Sequence, residues 1–188
     1  MKSRNISNPQ AYHRSLRLKD YDYSSTGAYF LTLCTQNRVC LFGEIINEEM
    51  VLNANGAIVQ DELIKTPNIR PIMELDAYAV MPNHLHVIIW IKSCSGDLPV
   101  ARSHDDRVAR VKESRLKPAS VGAFVAGFKS SVTTRINKAR ETPGIPVWQH
   151  NYYEHIIRNE DDLKEIREYI STNPLKWTLD RENPDCKI

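Results

Sequence analysis

The chain has 188 residues, of which 41% are hydrophobic, enough for one domain with a sizeable core. Its formal net charge of +2 is close to neutral, so overall charge does not indicate a nucleic-acid partner. The four cysteines form no C-x-x-C pair, which excludes a zinc ribbon or a thioredoxin-like motif. No secretory signal or bilayer-spanning apolar run is evident, so we expect a cytoplasmic protein with no membrane partner.

Positive charge is concentrated at the N-terminus, in a basic arm over residues 1–25. Within its first twenty residues, five basic side chains stand against the single acid Asp20: Lys2, Arg4, Arg14, Arg17 and Lys19. Phosphate backbones respond to such local patches rather than to overall charge. The arm is therefore either a solvated tail or a segment that follows a DNA backbone through Arg14, Arg17 and Lys19.

After this arm, the first half of the chain predicts a strand, a hairpin and a helix. Residues 29–35 are aromatic and β-branched, as expected of a central strand. Residues 39–52 resemble a hairpin that turns at residues 46–49. Residues 53–65 predict a helix that begins at a capping asparagine and stops before Pro67.

Two apolar runs follow, at residues 74–81 and 84–91, joined around Pro82-Asn83. They predict an antiparallel hairpin. Residues 92–118 are polar and charged without a regular period, which predicts an inserted, mobile loop.

A helix beginning at Ser120 comes next, with apolar residues at helical spacing along one side: Val121, Phe124, Val125, Phe128 and Val132. Its other side presents Lys129, Arg135 and Lys138, either as a solvated face or as DNA contacts.

A short strand and a final helix complete the chain. Residues 152–157 predict the strand. Asn159 and the three acids after it predict a helix start, because acids in the first turn suit the helix dipole. That helix ends at Asn173, since Pro174 follows.

These elements together predict an α+β fold. Without the added N-terminal hairpin their order is βαββαβ, that of a ferredoxin-like sandwich with an antiparallel sheet and an extra C-terminal helix. We expect one domain over residues 26–178, preceded by the basic arm and followed by a tail over residues 179–188.

The sequence His84-Leu85-His86 is the first candidate site. Two residues apart on a strand, the two imidazoles point to the same face. Converging imidazoles favour a shared divalent metal, although two polar side chains at a strand end could also simply face solvent.

The last helix supplies the second part of that site. Tyr169 and Asn173 are four residues apart, so they stack beside the buried stripe of that helix. Combined with the histidines, they suggest a metal held by two imidazoles and one side-chain carbonyl, next to a phenol. Because a free tyrosine has a pKa of about 10, it would need a metal or a base to attack a phosphodiester.

Tyr152 and Tyr153 are rival candidates for the nucleophile. They lie near His150 and His155, and a tyrosine–histidine pair could support base catalysis. On a strand, one ring would face the core and the other solvent or DNA.

The chain resembles the HUH-type single-tyrosine transposases, and most closely their REP-associated tyrosine transposase branch. His84-Leu85-His86 matches the HUH element, and Tyr169 with Asn173 matches the tyrosine helix within residues 168–174. Three further stretches resemble that branch: residues 17–23, 34–38 and 148–159. The resemblance extends from about Tyr12 to Trp177.

This resemblance implies that Tyr169 is the nucleophile and that His84, His86 and Asn173 bind Mg²⁺ or Mn²⁺. It implies cleavage and rejoining of single-stranded, hairpin-forming repeat DNA, with a 5′-phosphotyrosine link and a free 3′-hydroxyl. It also favours DNA contact by the basic arm. We expect a monomer or homodimer, with seven DNA-binding residues: Arg14, Arg17, Lys19, Lys129, Arg135, Lys138 and Arg158.

Two other functions compete with this transposase interpretation. The protein could bind DNA hairpins without turnover, as its many basic side chains outside the site allow. It could also be a metal-dependent nuclease that uses water as the nucleophile, with Tyr169 uninvolved.

Overall fold

A computed structural model describes residues 22–92 and 120–184. The basic residues Arg14, Arg17 and Lys19, and nearly all of the predicted loop at 92–118, lie outside these ranges. Within the described ranges, no helix is both long and apolar enough to cross a membrane.

The strands and helices follow the predicted order. The strands are β1 (Gly27–Cys34), β2 (Gly43–Ile46), β3 (Glu49–Leu52), β4 (Met73–Val80), β5 (His84–Ile91) and β6 (Tyr153–Ile157). The α-helices are α1 (Ala54–Ile64), α2 (Thr66–Ile69), α3 (Val121–Ala139) and α4 (Glu160–Thr172). Short 3₁₀ helices span Gln36–Arg38 and Pro174–Leu179.

The main sheet has four strands in the order β4-β5-β1-β6, and all of its neighbours are antiparallel. With the β2–β3 hairpin set aside, this is the strand order of a ferredoxin-like sandwich, so the predicted α+β class is confirmed. The hairpin forms a separate two-stranded sheet that turns at Asn47 and Glu48, both with positive φ.

Three predicted helix starts have the expected caps. The Asn53 side chain accepts hydrogen bonds from the backbone of Asn55 and Gly56, Ser120 accepts one from Ala123, and Asn159 accepts one from Asp162. These bonds satisfy first-turn N–H groups that have no partner within the helix.

The two faces of the main sheet receive different helices. The larger apolar cluster joins α1 and α3 to one face, through residues such as Val59, Phe124 and Leu85. A smaller cluster joins Leu163 and Ile170 of α4 to the opposite face. The last α-helix therefore covers the face that carries the histidines.

Candidate active site

Strand β5 presents two histidines toward α4. His84 and His86 pair with Cys34 and Thr32 of β1, and both side chains are buried. Their Nε2 atoms are 2.9 Å apart, so both rings aim at a single point. Burial lowers the pKa of both imidazoles, which keeps them neutral at physiological pH.

Asn83 fixes the tautomer of His84. The Asn83 amide nitrogen donates to the carbonyl oxygens of Arg38 (3.1 Å) and Glu182 (2.7 Å). Its Oδ1 therefore accepts from Nδ1–H of His84, at 2.8 Å. With the proton on Nδ1, the lone pair of neutral His84 is on Nε2, the atom that a metal would bind.

Thr32 has the corresponding position beside His86. Its hydroxyl lies 2.9 Å from Nδ1 of His86 and can accept that ring proton. Both imidazoles can thus hold their Nδ1–H against the strands while their Nε2 atoms face the same point. This is the arrangement typical of metal-binding histidines.

Asp180 completes a cluster of three possible metal ligands. One carboxylate oxygen and one ring nitrogen from each of His84 and His86 all lie within 4.8 Å of one another, and all three side chains are buried. The Asp180 carboxylate accepts hydrogen bonds from the backbone N–H of Glu182 (2.6 Å) and from the side-chain amide of Asn173 (2.8 Å).

Sequence reasoning missed Asp180, Asn83 and Thr32. Asp180 follows the 3₁₀ helix Pro174–Leu179, in a segment expected to begin a tail. It has no periodic pattern or motif around it. Asn83 did carry a signal, because it directly precedes His84 at the tight connection between β4 and β5.

Asn173, the predicted third ligand, lies at the C-terminal end of α4 and is 2% exposed. Its amide nitrogen donates to Asp180, and its buried Oδ1 has no hydrogen-bond partner among the described residues. A buried acceptor without a partner is costly, so this oxygen is available for a cation.

Tyr169 reaches the same point from α4. Its hydroxyl is 3.3 Å from Nε2 of His86, and its side chain is 44% exposed, so the phenol is accessible from solvent. Burial and the negative charge of Asp180 raise the pKa of Tyr169 to about 12. The phenol is therefore neutral at physiological pH unless a positive charge comes close.

Polar contacts help to hold α4 over the sheet. Asp76 of β4 accepts two hydrogen bonds from Arg167, at 2.8 and 2.6 Å, and one from the Trp90 indole, at 2.8 Å. A shift in the β4–β5 register between Leu75 and Tyr78 brackets Asp76. Such irregularities redirect side chains next to functional sites.

Comparisons with known proteins indicate the family to which the chain is related. No family model matches the sequence. An uncharacterized protein of Haemophilus influenzae is 40% identical over 173 residues, covering 90% of this chain and 92% of that protein. A REP-associated tyrosine transposase of Escherichia coli is 25% identical over 154 residues, covering 82% of this chain and 70% of that protein. The chain is a relative of the REP-associated tyrosine transposases.

The solved structure of a REP-associated tyrosine transposase, bound to a REP hairpin, has a fold similar to that of this chain. The TM-score is 0.51 at 20% identity, with 86% of this chain and 74% of that chain covered.

The described residues that we predicted to bind DNA are dispersed over this chain. The Lys129 ammonium donates to the carbonyl oxygens of residues 149, 150 and 151, at 2.7, 3.3 and 3.1 Å, and burial lowers its pKa to about 8. Arg135 pairs with Asp61 and Glu62. Lys138 and Arg158 are exposed. Their contact with DNA stays a prediction.

The rival tyrosines Tyr152 and Tyr153 point to opposite faces of the main sheet. Tyr153 pairs with Thr32 and lies on the histidine face, where its ring centroid is 6.1 Å from that of Phe30. Tyr152 packs against the larger apolar cluster, and the Lys129 ammonium lies 5.5 Å from its ring centroid. Of the three candidate tyrosines, Tyr169 is the one hydrogen-bonded to His86.

Proposed function

We propose that the protein is a metal-dependent DNA strand transferase that cleaves and rejoins single-stranded, hairpin-forming repeat DNA through Tyr169. The observation that carries this proposal is the 3.3 Å distance from the Tyr169 hydroxyl to Nε2 of His86, where two buried imidazoles converge. Kinship with the REP-associated tyrosine transposases supports the choice of hairpin DNA as substrate. Acting on DNA, such an enzyme would work in the cytoplasm.

The reaction is a phosphoryl transfer to tyrosine. Oη of Tyr169 attacks the scissile phosphorus, the bond from phosphorus to the 3′-oxygen breaks, and the phenol proton ends on that departing oxygen. The products are a 5′-phosphotyrosine ester and a free 3′-hydroxyl. Because the ester retains the energy of the phosphodiester bond, attack by a 3′-hydroxyl can rejoin a strand and release Tyr169.

His84 and His86 would hold a divalent ion through Nε2, with an oxygen from Asp180 or Asn173. The neutral rings, the carboxylate and the unpartnered Asn173 oxygen all fit a cation. A bound Mg²⁺ or Mn²⁺ would offset negative charge on the phosphate and favour the ionised phenol. Two imidazole ligands suit Mn²⁺ better than Mg²⁺.

The remaining residues position these groups. Asn83 and Thr32 orient the two rings through their Nδ1 atoms, and Asp76 holds α4 through Arg167. Because Arg167 is only two residues before Tyr169, its contact with Asp76 also helps to place the phenol over the sheet.

The decisive experiment follows each end of a single-stranded hairpin oligonucleotide. Incubation with Mn²⁺ or Mg²⁺ should transfer a 3′-end label to the protein as an SDS-stable adduct, while a 5′-end label stays on the released strand. We expect Tyr169→Phe to form no adduct. Tyr152→Phe and Tyr153→Phe, which remove the rival hydroxyls, should still form it.

Two outcomes would contradict the proposal. Cleavage that persists in Tyr169→Phe would identify a water nucleophile and therefore a metal-dependent nuclease. Wild-type protein that binds the hairpin but forms no adduct with either ion would be a DNA-binding module without turnover.

A further inference from the structure

Tyr153 is an aromatic residue at the mouth of the site that the proposed reaction leaves without a role. It is the first residue of β6, one of the two edge strands of the main sheet, and its side chain is 45% exposed. Its hydroxyl makes no hydrogen bond to any described residue. Single exposed aromatic residues are common, so position rather than exposure carries the inference.

Phe30 connects Tyr153 to the reacting groups. The Phe30 ring centroid is 5.4 Å from that of His86 and 6.1 Å from that of Tyr169. Its centroid is also 6.1 Å from that of Tyr153, which it meets edge-on at an interplanar angle of 68°. The Phe30 ring thus lies between Tyr153 and the proposed nucleophile, and Tyr153 is at the β6 edge of the sheet.

The neighbouring Tyr152 makes the placement of Tyr153 informative. Tyr152 directly precedes β6, and its ring packs on the opposite face of the sheet, against the larger apolar cluster and beside the Lys129 ammonium. The aromatic residue at 152 therefore has a structural use. At position 153, by contrast, Phe30 contacts the ring edge-on and the ring retains an exposed surface.

Trp177 bounds the site on the side of His84, but it is a weaker candidate. Its ring centroid is 6.1 Å from that of His84, and its side chain is half-buried. Tyr153 combines greater exposure with a path through Phe30 to Tyr169.

We propose that Tyr153 is a stacking platform for an unpaired nucleobase next to the phosphodiester presented to Tyr169. The inference rests on the proposed function, because it takes single-stranded DNA as the substrate. Every base has an aromatic face, so the contact would tolerate different bases and would favour unpaired over paired nucleotides. It would fix the strand beside the nucleophile without taking part in the chemistry.

The test measures binding with the chemistry switched off. Hairpin oligonucleotides with 2-aminopurine at successive unpaired positions are titrated with the protein in EDTA, and fluorescence reports both affinity and stacking. We expect wild-type protein to quench the probe at one position. Tyr153→Leu should weaken binding roughly tenfold or more and remove that quenching, whereas Tyr153→Phe should retain both.

Ile145→Ala is the matched control, because Ile145 is 50% exposed and follows α3, away from the histidine face. It should bind as the wild type does. Thermal unfolding of each variant checks that the fold is intact, and Tyr153→Thr provides a β-branched alternative if the leucine variant is unstable. At saturating DNA with Mn²⁺, Tyr153→Leu should still form the adduct, because Tyr169 remains in place.

Equal affinity and equal quenching for wild-type protein and a folded Tyr153→Leu variant would overturn the stacking assignment while leaving the proposed reaction intact. A loss of adduct rate at saturating DNA without a loss of affinity would also overturn it. Position-specific quenching that depends on Tyr153, in a protein that forms no adduct, would support the platform and contradict the proposed reaction. Wild-type protein that binds none of the oligonucleotides would contradict both.

Discussion

The two faces of the four-stranded sheet differ in what they contact, although the same strands form both. Alternate residues of β5 face α1 and α3 through apolar side chains: Leu85, Val87, Ile89 and Ile91. The intervening residues face the side of α4 and carry polar atoms at three of four positions: His84, His86, Ile88 and Trp90. A shift of one residue in register would exchange these roles.

The helices are attached accordingly. Apolar packing dominates where α1 and α3 cover the sheet, and Arg135 of α3 also forms ion pairs with Asp61 and Glu62 of α1. On the other face, α4 combines a small apolar contact at Leu163 and Ile170 with the polar contacts Asp76–Arg167 and His155–Asp162. Stability should therefore respond to substitutions on both faces, whereas chemistry should respond to those on the face of α4.

The largest expected effect on stability comes from two neighbouring isoleucines of β5 whose side chains point to opposite faces. Ile88 and Ile89 are both fully buried, Ile88 in the cluster that includes α4 and Ile89 in the cluster that includes α1 and α3. Either substitution by alanine should lower the free energy of unfolding by about 2–5 kcal/mol in chemical denaturation. Only Ile88→Ala should also slow adduct formation by the folded protein.

The valine variants Ile88→Val and Ile89→Val provide milder versions of the same pair, each expected to cost about 0.5–1.5 kcal/mol. If Ile89→Val slowed the adduct reaction as much as Ile88→Val, the two faces would not be functionally separate.

A divalent ion should stabilise the protein by binding at the histidine face. If Mn²⁺ binds His84 and His86 in the folded state, a concentration one hundred times its Kd should add about 2.7 kcal/mol to the free energy of unfolding. Differential scanning calorimetry should show a rise in Tm for wild-type protein and little or none for His86→Ala. Quenching of Trp177 by Mn²⁺, measured against Trp177→Phe, gives a local signal beside His84.

An equal rise in Tm for His86→Ala would place the ion elsewhere. If the ion binds here as expected, Asp180→Asn and Asn173→Ala distinguish the two candidate oxygen ligands, because the substitution that alters a true ligand should weaken Mn²⁺ binding more.

The sequence predicted the parts of this comparison that depend on local pattern. Alternation along the strand placed His84 and His86 on one face of the sheet. Helical spacing placed Tyr169 and Asn173, which are four residues apart, on the same side of α4. The structure brings these residues together as that interpretation requires. Their catalytic and metal-binding roles stay predictions, which the experiments above address.

The features that the sequence did not predict depend on contacts between distant residues or on short helices. The first predicted helix does stop before Pro67, since α1 ends at Ile64. The short helix α2 that follows was not predicted; Pro67 lies in its first turn, where the missing N–H has no helical partner to lose. Asp180 reaches the histidines only because the chain folds back through the 3₁₀ helix after Pro174. No spacing rule connects position 180 with position 84.

A smaller effect is expected from the polar contact between α4 and β4. Asp76→Asn should weaken the contact with Arg167 and so produce several-fold faster hydrogen exchange in α4, with little change in α3. Asp61→Asn, which removes an ion pair on the other face, should leave exchange in α4 unchanged.

This contact should also depend on pH. The hydrogen bond from Arg167 lowers the pKa of Asp76 below its ordinary value of 3.8. The stabilisation is therefore fully present above that ordinary value and is lost as the pH falls through the lower pKa of the folded state. Wild-type protein and Asp76→Asn should converge in stability under strongly acidic conditions, and a constant difference at all pH values would exclude this contribution.

The smallest expected change in stability belongs to the residue with the largest expected effect on chemistry. Tyr169 is 44% exposed, and its hydroxyl is hydrogen-bonded to His86. Tyr169→Phe keeps the ring beside Phe30, so the free energy of unfolding should change by no more than about 0.5 kcal/mol in urea denaturation, while the covalent adduct disappears. A large loss of stability would mean that the phenol helps to hold α4 on the sheet. In that case the absence of an adduct would no longer identify the nucleophile, and only a folded variant with the hydroxyl removed could do so.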